Sequence, residues 1–537
     1  MKKYLCFLYL LFFHCLLFAQ EDAWIYFNDK PNASFYMENP TEMLTVKALN
    51  RRANLNIPVD ILDVPIHVNY VYLIENEPNI QVLAQSKWLN AVHVRGALSN
   101  IQSLSNLSFV NSIQFANKQL NTNNRLNHGS RINQVENKNL ALNTTQLNYG
   151  NANNQIEMLN GHLLHNEGFS GNGMTIAVID NGFFGVNYGI AFNHLFENGQ
   201  VLNTYNFVNR NSNVFSAGNH GTIVLSTMAA NLDGQFIGTA PDANYILLVS
   251  ESNSYENPLE ESLWVEAAEY ADYLGADVIN SSLGYNTFDN PNYDYIYNDM
   301  DGETSFISRG AKIAASRGLV CVVSAGNSGN DAWQYIATPA DAENILTVGA
   351  VNSTGNYASF SSIGPSADGR VKPNIVAQGA SASVVSANGN LTTSNGTSLS
   401  SPIVAGLVAC LWQSLPNLKP AQIIELIENS ASLFPNPTAL LGYGIPDFYE
   451  AKTQGLLTVE NPIFQNDIKL YPNPVSEILN IQTDLEIVEC TIFNVMGQKI
   501  RTINNSKTIN CSELKSGMYF LEIKHSNGIE TLKFLKK

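Results

Sequence analysis

The chain has 537 residues, of which 29 are basic and 46 acidic, and its net charge at neutral pH is -17. One hydrophobic core stops growing well below this length, so about two to four domains are expected. The negative charge would repel nucleic acid and anionic lipid surfaces, which excludes nucleic-acid binding as the main function.

The first predicted element is a signal peptide over residues 1–20. Lys2 and Lys3 precede an apolar run over residues 4–18, and Ala19 offers a cleavage site. The run is shorter than the roughly 20 residues of a membrane-spanning helix, and no later segment is apolar enough to qualify. The sequence therefore predicts an exported protein without a membrane span.

Residues 21–116 have the pattern of a small α+β domain. The predicted order is strand, helix, strand, helix, strand, with strand-like segments over 23–27, 80–96 and 109–115 and a helical leucine pattern over 97–107. Residues 117–150 are rich in Asn, Gln and Leu and poor in aromatic residues, which indicates an exposed linker.

Between residues 151 and 455, apolar strand patterns alternate with helical ones. This alternation predicts an α/β fold, in which helices cover both faces of a parallel sheet. Strands are expected over 174–179, 245–249, 277–281, 319–324 and 345–351, and helices over 220–230, 258–274, 305–316, 398–413 and 420–430. Such sheets bind ligands beyond the carboxyl ends of their strands, and Asp180 and Asn327 both follow a predicted strand.

Three short segments supply a carboxylate, an imidazole and a hydroxyl. They contain Asp180 after a strand, His220 in Gly-Asn-His-Gly, and Ser398 in Asn-Gly-Thr-Ser. A serine hydroxyl becomes a good nucleophile when an imidazole removes its proton and a carboxylate holds that imidazole. The chain order Asp, His, Ser is the subtilisin order, and Ser400 stands where a lipase-type elbow requires Gly.

These motifs resemble those of the subtilisin-like serine proteases, and the resemblance covers nearly all of residues 150–455. It implies a catalytic triad of Asp180, His220 and Ser398. It also implies that Asn327, in Ser-Ala-Gly-Asn-Ser-Gly, donates to the oxyanion together with the Ser398 N–H. The simpler alternatives are that Ser398 only caps a helix and that Gly-Asn only forms a turn.

Ser398 is predicted to begin an apolar helix, whose positive N-terminal potential favours an alkoxide. Pro402 is expected in the first turn of this helix, where its missing N–H would have no partner. Two positions depart from the family pattern: Leu399 replaces a Met of similar volume, and Asn181 replaces a Ser or Thr after Asp180.

The resemblance further implies a cleft that pairs with an extended peptide. The primary specificity pocket would be lined on one side by Ser282, Leu283 and Gly284, and on the other by Ser324, Ala325 and Gly326. This small, apolar lining suggests a preference for a bulky apolar side chain. No cofactor is required for such catalysis; structural calcium is common in the family, and no acidic loop identifies ligands.

By position and pattern, residues 21–116 resemble the inhibitory prodomain of these proteases, with an unrelated α+β domain as the alternative. An exposed linker after such a domain is where cleavage would release the enzyme, so maturation is expected within 117–150.

Residues 456–464 are a second predicted linker, and residues 465–537 have short strands separated by Gly and Pro turns, which predicts a small β-sandwich. Segments at 469–475, 494–498, 517–523 and 533–537 resemble the C-terminal sorting domain of the type IX secretion system of Bacteroidetes. The resemblance implies export by that machinery to the exterior or surface of a Gram-negative bacterium. The alternative is a generic adhesive sandwich.

Four cysteines follow the signal peptide. Cys321 and Cys410 are expected to be small buried hydrophobes, and Cys490 and Cys511 could pair across strands, although spacing alone cannot fix a disulfide.

The sequence therefore predicts a secreted serine endopeptidase that acts on polypeptides and is inhibited by its own prodomain. Two other classes remain as alternatives. One is a catalytically silent surface-binding protein with the same fold. The other is a matrix protein, for which internal repeats would be expected.

Overall fold

A computed structural model describes residues 20–121, 147–216, 218–460, 468–483, 485–494, 498–525 and 528–537. The predicted signal peptide, except for Gln20, and most of the linker predicted at 117–150 lie outside the described residues. The chain divides into two compact units, Met1–Gly455 and Leu456–Lys537.

The predicted prodomain contains a four-stranded antiparallel sheet in the order β2-β3-β1-β4. Its elements are β1 (Gln20–Phe27), α1 (Ala33–Glu38), α2 (Val46–Asn54), α3 (Val68–Glu75), β2 (Ile80–Ser86), β3 (Ala91–Ala97), α4 (Leu98–Ser103) and β4 (Val110–Phe115). Alternate residues of β1 point to opposite faces of the sheet. Ile25 packs in the prodomain's own core, whereas the indole of Trp24 stacks on Phe306 of the next domain at 5.0 Å between ring centroids.

The central domain is built on a seven-stranded parallel sheet in the order β13-β12-β11-β10-β5-β9-β6. Its strands are β5 (Thr175–Asp180), β6 (Val201–Asn206), β9 (Asn244–Val249), β10 (Val278–Ser281), β11 (Val320–Ser324), β12 (Leu346–Val351) and β13 (Ile375–Gln378). Two hairpins accompany this sheet, formed by β7 (Asn231–Leu232) with β8 (Phe236–Ile237) and by β14 (Ala382–Val385) with β15 (Leu391–Ser394).

Helices cover both faces of this sheet, as the sequence predicts. They are α5 (Asn153–Glu157), α6 (Gly161–Asn166), α7 (Asn193–Glu197), α8 (His220–Ala229), α9 (Leu259–Leu274), α10 (Phe306–Ser316), α11 (Thr397–Ser414), α12 (Pro420–Asn429) and α13 (Phe448–Glu460). Ile176 and Val178 of β5 share a core with α8 and α11, whereas Ala177 and Ile179 share the opposite core with α9 and α10. Because both faces are buried, the strands are almost continuously apolar.

All five strands and all five helices expected in the central domain are present. Each observed bound lies within one residue of the predicted bound. The sequence analysis did not identify β6 and β13. Both are edge strands of the sheet, and β6 is only half-buried, which leaves it without a continuous apolar pattern.

The C-terminal unit consists of antiparallel strands in two sheets, with the orders β16-β17-β20 and β19-β18-β21-β22. Its strands are β16 (Lys469–Tyr471), β17 (Ile478–Gln482), β18 (Ile487–Asn494), β19 (Lys499–Asn504), β20 (Thr508–Asn510), β21 (Gly517–His525) and β22 (Gly528–Lys536). Apolar side chains from both sheets form one core. Short strands were expected here, in a small β-sandwich.

The suggested pairing of Cys490 with Cys511 is wrong, because both are buried free thiols in the structure. Cys490 lies within β18 of one sheet, and Cys511 follows β20 of the other. The Sγ atom of Cys490 is 3.9 Å from the Ser506 carbonyl oxygen, and that of Cys511 is 3.7 Å from the Ile509 carbonyl oxygen. Each thiol therefore packs as a small apolar group, as predicted for Cys321 and Cys410, which are also buried and free.

Among the residues that the structure describes, no helix is both long and apolar enough to cross a membrane.

Candidate active site

Asp180 and His220 meet at the carboxyl edge of the parallel sheet. Asp180 is the last residue of β5 and is fully buried, and His220 is the first residue of α8. Asp180 Oδ1 lies 2.8 Å from His220 Nδ1, and because a carboxylate only accepts hydrogen bonds, Nδ1 carries the proton between them. The other ring nitrogen, Nε2, is thereby left to accept a proton.

The negative charge of Asp180 raises the pKa of His220, and the hydrogen bond between the two acts in the same direction. Burial opposes this shift, because it disfavours the charged imidazolium. The side chain of His220 remains about one-third exposed, at 35%, so a substrate can reach it.

Asn181 and the glycines beside His220 fix the entry into α8. The side-chain oxygen of Asn181 accepts a hydrogen bond from the backbone N–H of His220 at 3.2 Å. A Cβ atom at Gly221 would lie 2.5 Å from the Gly182 carbonyl oxygen and 3.0 Å from Asp180 Cβ. Gly221 therefore allows α8 to approach the end of β5, and Asn181 satisfies the first backbone N–H of α8.

Ser398 is the second residue of α11, a helix that packs against α8. Pro402 is the sixth residue of α11, so the expectation that it lies in the first turn is wrong. An N–H at position 402 would bond to the carbonyl oxygen of Ser398, four residues earlier, and proline has none. That oxygen instead accepts a hydrogen bond from Ser282 Oγ at 2.9 Å.

Asn327 follows β11 and is oriented by Thr397. Its side-chain oxygen accepts hydrogen bonds from Thr397 N at 2.8 Å and from Thr397 Oγ1 at 3.0 Å. A Cβ atom built on Gly396 would lie 2.7 Å from Ser398 Oγ and 3.8 Å from Asn327 Nδ2. The amide donor of Asn327 and the hydroxyl of Ser398 therefore border the same small space.

The structure also brings together the two segments expected to line the specificity pocket. Ser282, Leu283 and Gly284 follow β10, while Ser324 ends β11 and continues into Ala325 and Gly326. Because β10 and β11 are parallel neighbours, both segments leave the sheet side by side. Ser324, Ala325 and Leu283 are almost fully buried, and Gly284 is exposed.

Ala337 contacts both of these segments, although it was not predicted from the sequence. A Cβ atom on Gly284 would lie 3.3 Å from Ala337 Cβ, and the Ala337 N–H donates to the Ala325 carbonyl oxygen at 3.3 Å. Ala337 thus connects the two segments. No local motif marks this residue, because its role arises only from contacts made in the folded chain.

Glu251 is a second residue that the sequence analysis missed. It follows β9, accepts a hydrogen bond from Tyr285 Oη, and lies close enough to Asp180 and His220 to interact with their charges. Burial raises the pKa of Glu251 to about 8, against the opposing effect of the Tyr285 hydrogen bond. A single glutamate after a strand gives no sequence signal of this placement.

Among the residues that the structure describes, no hydrogen bond joins Ser398 Oγ to His220 Nε2. Catalytic hydrogen bonds are often long without substrate and shorten in the Michaelis complex. Both residues nevertheless lie in the first turns of α8 and α11, two helices that pack together.

No group of three or more His, Cys, Asp or Glu side chains within the described ranges could hold a metal ion. The side chains in these ranges therefore do not fit a calcium site built from several carboxylates. No calcium ligand is assigned.

The parallel sheet, with a carboxylate, an imidazole and a serine at its carboxyl edge, has the architecture of a serine hydrolase. The model of the subtilase family, Peptidase S8, matches residues 171–445, more than half of the chain. The chain therefore belongs to the subtilase family, whose members are serine-type endopeptidases.

Two further family models match the flanking regions. A Peptidase S8 propeptide domain of Bacteroidota matches residues 22–133, and a secretion system C-terminal sorting domain matches residues 469–537. The chain thus contains a propeptide domain and a sorting domain of the type IX kind, which indicates secretion or cell-surface localisation in Bacteroidota.

The relatives include serine protease AprX of Bacillus subtilis (strain 168), 32% identical over 48% of this chain and 61% of that protein. The match thus spans less than two thirds of AprX. Subtilisin DY of Bacillus licheniformis is 31% identical over 52% of this chain and 90% of that protein. Among solved structures, MycP1 from Mycobacterium smegmatis is 22% identical, with a TM-score of 0.44, over 58% of this chain and 89% of that chain.

Proposed function

We propose that the protein is a secreted serine endopeptidase that hydrolyses polypeptides through Asp180, His220 and Ser398. The observation that carries this proposal is the 2.8 Å hydrogen bond between Asp180 and His220 Nδ1, which leaves His220 Nε2 available as a base, together with the position of Ser398 in the first turn of α11, a helix that packs against α8. Membership of the subtilase family supports the same assignment.

In the acylation step, Ser398 Oγ attacks the scissile carbonyl carbon and its proton passes to His220 Nε2. Asp180 stabilises the resulting imidazolium and keeps the ring in place. The tetrahedral oxyanion accepts hydrogen bonds from the Ser398 N–H and from Asn327 Nδ2. Collapse of the intermediate breaks the peptide bond, and the departing amine takes the proton from His220, which leaves an acyl-enzyme.

In the deacylation step, His220 removes a proton from water and the hydroxide attacks the acyl carbon. A second tetrahedral intermediate forms in the same oxyanion site. Its collapse releases the carboxylic acid product, and His220 returns its proton to Ser398 Oγ. The step consumes one water molecule and requires no cofactor.

Casein hydrolysis by the processed enzyme tests this proposal. The Ser398→Ala variant should lose about 10⁶-fold in kcat, the loss known for the equivalent change in subtilisin. Ser400→Ala is the matched control, because Ser400 is buried two residues further along the same helix and donates to the Thr397 carbonyl oxygen. Equal hydrolysis by wild type and Ser398→Ala would assign the nucleophile elsewhere, and no hydrolysis by folded wild type would favour a silent binding protein.

The specificity pocket is proposed to accept a bulky apolar side chain. The two segments that would line the pocket, Ser282–Gly284 and Ser324–Gly326, consist of small residues and one leucine, and neither contains a charged residue. Cleavage-site profiling on a peptide library should give apolar residues on the amino side of the cut. Profiles dominated by Lys or Arg would contradict this preference.

The prodomain is proposed to inhibit the enzyme until the chain is cut within residues 117–150. One face of its sheet packs on α9 and α10, where Trp24 Nε1 donates to Ser262 Oγ at 2.8 Å. N-terminal sequencing of the mature enzyme should place the new terminus in this linker. A terminus upstream of residue 100 would refute the maturation site.

Export is proposed to use the signal peptide first and the type IX machinery afterwards. The sorting-domain match over residues 469–537 supports the second step. Natural substrates are then polypeptides outside the cell.

A further inference from the structure

A helical segment of the prodomain reaches the amino edge of the catalytic sheet, opposite the active site. This segment, residues 45–57, contains α2 and is called here the α2 anchor. Lys47 Nζ donates to Oγ1 of Thr175, the first residue of β5, and the Thr45 N–H donates to the Tyr273 carbonyl oxygen at 3.1 Å. The anchor therefore binds the end of the sheet that is remote from Ser398.

Two arginines of the α2 anchor clamp one carboxylate of the catalytic domain. Arg51 Nη2 bonds to Asp272 Oδ1, and Arg52 Nη2 lies 2.6 Å from Asp272 Oδ2. Asp272 is fully buried in α9, and the side chains of Arg51 and Arg52 are 7% and 1% exposed. Both oxygens of the carboxylate are thus held by charges from the prodomain.

The charge pairing also runs in the opposite direction. Arg317 of the catalytic domain lies 2.9 Å from Asp60 Oδ1 and 3.5 Å from Asp63 Oδ2, both in the prodomain. Asp63 Oδ1 in turn lies 2.9 Å from Arg52 Nη2. The two domains therefore present complementary charges, so a shifted or reversed docking would leave buried charges without partners.

Apolar contacts complete the surface around these charges. Leu55 is 4% exposed and belongs to the main core of the catalytic domain. A Cβ atom on Gly318, which precedes β11, would lie 2.8 Å from Ile57 Cδ1 and 2.9 Å from Leu55 Cδ1. Gly275 ends α9 with φ +79°, and a Cβ atom there would lie 2.9 Å from the Ala48 nitrogen. The catalytic domain is thus shaped to receive the anchor.

We propose that the α2 anchor is a second docking surface for the prodomain, with Arg51 and Arg52 as its anchoring residues, and that it controls how fast the cut prodomain leaves. The inference rests on the proposed role of the prodomain as an inhibitor removed by cleavage of the linker. The anchor, residues 45–57, precedes the linker, and its partners in the catalytic domain follow the linker. Cleavage within the linker therefore breaks none of the contacts between them. Release then requires separation of the anchor or proteolysis within it.

The release rate of the cut prodomain tests this proposal. The full chain would carry Ser398→Ala to prevent self-digestion, with a site for a sequence-specific protease inserted in the linker. After the cut, dissociation of the N-terminal fragment is followed from protein immobilised at its C-terminus. Arg51→Ala with Arg52→Ala should release the fragment about 10² to 10³-fold faster than the parent. In this variant the bound state keeps the charge of Asp272 buried without a partner, which destabilises that state.

Asp29→Ala is the control, because Asp29 is an exposed carboxylate that accepts a hydrogen bond from Tyr70 Oη inside the prodomain. It should change the release rate only a few-fold, so a comparable acceleration would overturn the assignment to the anchor. Equal release by the parent and the double alanine variant would also overturn it. If the double alanine variant does not fold, Arg51→Lys with Arg52→Lys decides, because lysine keeps the charge without the forked geometry. Release at the parent's rate would then contradict the proposal.

This measurement is independent of catalysis. Failure of Ser398 as the nucleophile would abolish the expected effect of Ser398→Ala in the casein assay and leave the release rates unchanged. Failure of the docking proposal would equalise the release rates and leave casein hydrolysis intact.

Discussion

At the scale of single residues, the side-chain oxygen and the side-chain amino group of Asn327 have different roles. Its oxygen accepts from Thr397 N and Oγ1, so its amino group is free to face the space beside Ser398 Oγ. An aspartate keeps the accepting oxygen and replaces the donor with a second oxygen. We therefore expect Asn327→Asp to separate the structural role from the catalytic one.

The predicted result for Asn327→Asp is a kcat lower by at least about 10² to 10³-fold, the range measured in subtilisin for loss of the equivalent donor, with a nearly unchanged melting temperature. Thr397→Val is the control, because it removes one hydrogen bond to the Asn327 oxygen and keeps the amino group. Steady-state kinetics and thermal unfolding check both variants. Full activity in Asn327→Asp would show that Asn327 donates nothing to the transition state.

The pH dependence of hydrolysis follows from the charge of Asp180. This charge raises the pKa of His220 above the ordinary imidazole value of 6.5. A general base must be neutral, so kcat/KM should fall as the pH decreases through the raised pKa. In Asp180→Asn the acid limb should move to lower pH, and the plateau should fall about 10⁴-fold.

Profiles of kcat/KM against pH measure this shift. Asp289→Asn is the control, because Asp289 is an exposed carboxylate on a loop. It should leave the acid limb in place. An unchanged limb in Asp180→Asn would mean that His220 is not the group that titrates.

The candidate catalytic residues could be predicted from the sequence, whereas residues placed near them only by tertiary contacts could not. Asp180, His220, Asn327 and Ser398 stand in short motifs, and their presumed roles remain predictions. Glu251 has no motif, and its position near His220 arises from the neighbouring ends of β9 and β5.

At the scale of elements, α11 contains a proline, and the hydrogen bond that this proline cannot donate is replaced by one from a residue that follows β10. Pro402 deprives the Ser398 carbonyl oxygen of its helical donor, and Ser282, which follows β10, supplies Oγ–H instead. This bond connects the start of α11 to the proposed peptide-binding segment. Pro402 was expected in the first turn of a helix that begins at Ser398, whereas α11 begins at Thr397 and Pro402 is its sixth residue.

The bond between Ser282 and Ser398 gives a double-mutant prediction. Ser282→Ala leaves a carbonyl oxygen without a partner, at a cost of about 1 kcal/mol in the free energy of unfolding and about 2–4 °C in melting temperature. Adding Pro402→Ala restores an N–H that can donate to the same oxygen, so the double variant should recover part of the loss.

Thermal unfolding of the two single variants and the double variant in the Ser398→Ala background measures this coupling. Purely additive effects would indicate that the Ser398 carbonyl oxygen does not depend on Ser282. Pro402→Ala alone is the reference for the intrinsic effect of removing proline.

Strands were predictable where they lie in the middle of the sheet. Residues of β5, β9, β10, β11 and β12 are buried on both faces and form apolar runs. The edge strand β6 has polar, half-exposed positions, so it produces no distinctive apolar pattern. In the prodomain, a helix was expected between the first two strands, but the bounds of α2 could not be predicted, because its buried positions include Arg51 and Arg52, which no apolar periodicity reveals.

At the scale of the whole molecule, three regions with separate tasks follow one another along the chain. The order of these regions could be predicted, because each has its own composition and motifs. The docking of the prodomain could not, because Arg51 and Asp272 are 221 positions apart and neither stands in a motif. Their pairing depends on the relative placement of two folded domains.

The division of the chain into two compact units predicts that hydrolysis and export are separable. Deletion of residues 465–537 should leave casein hydrolysis by the processed enzyme unchanged and prevent its appearance outside a host with type IX secretion. Immunoblots of cell and medium fractions, with Ser398→Ala as a control for proteolysis, measure export. Normal secretion of the truncated chain would contradict the sorting role of the C-terminal unit.

The central claim is that Ser398 is the activated nucleophile, and covalent labelling tests it most directly. The processed enzyme would be treated with a fluorophosphonate, digested, and mapped by mass spectrometry. We predict one phosphonylated residue, Ser398, with labelling abolished in Ser398→Ala, strongly slowed in Asp180→Asn and retained in Ser400→Ala. A label on another serine, or none on folded and fully processed protein, would contradict the account.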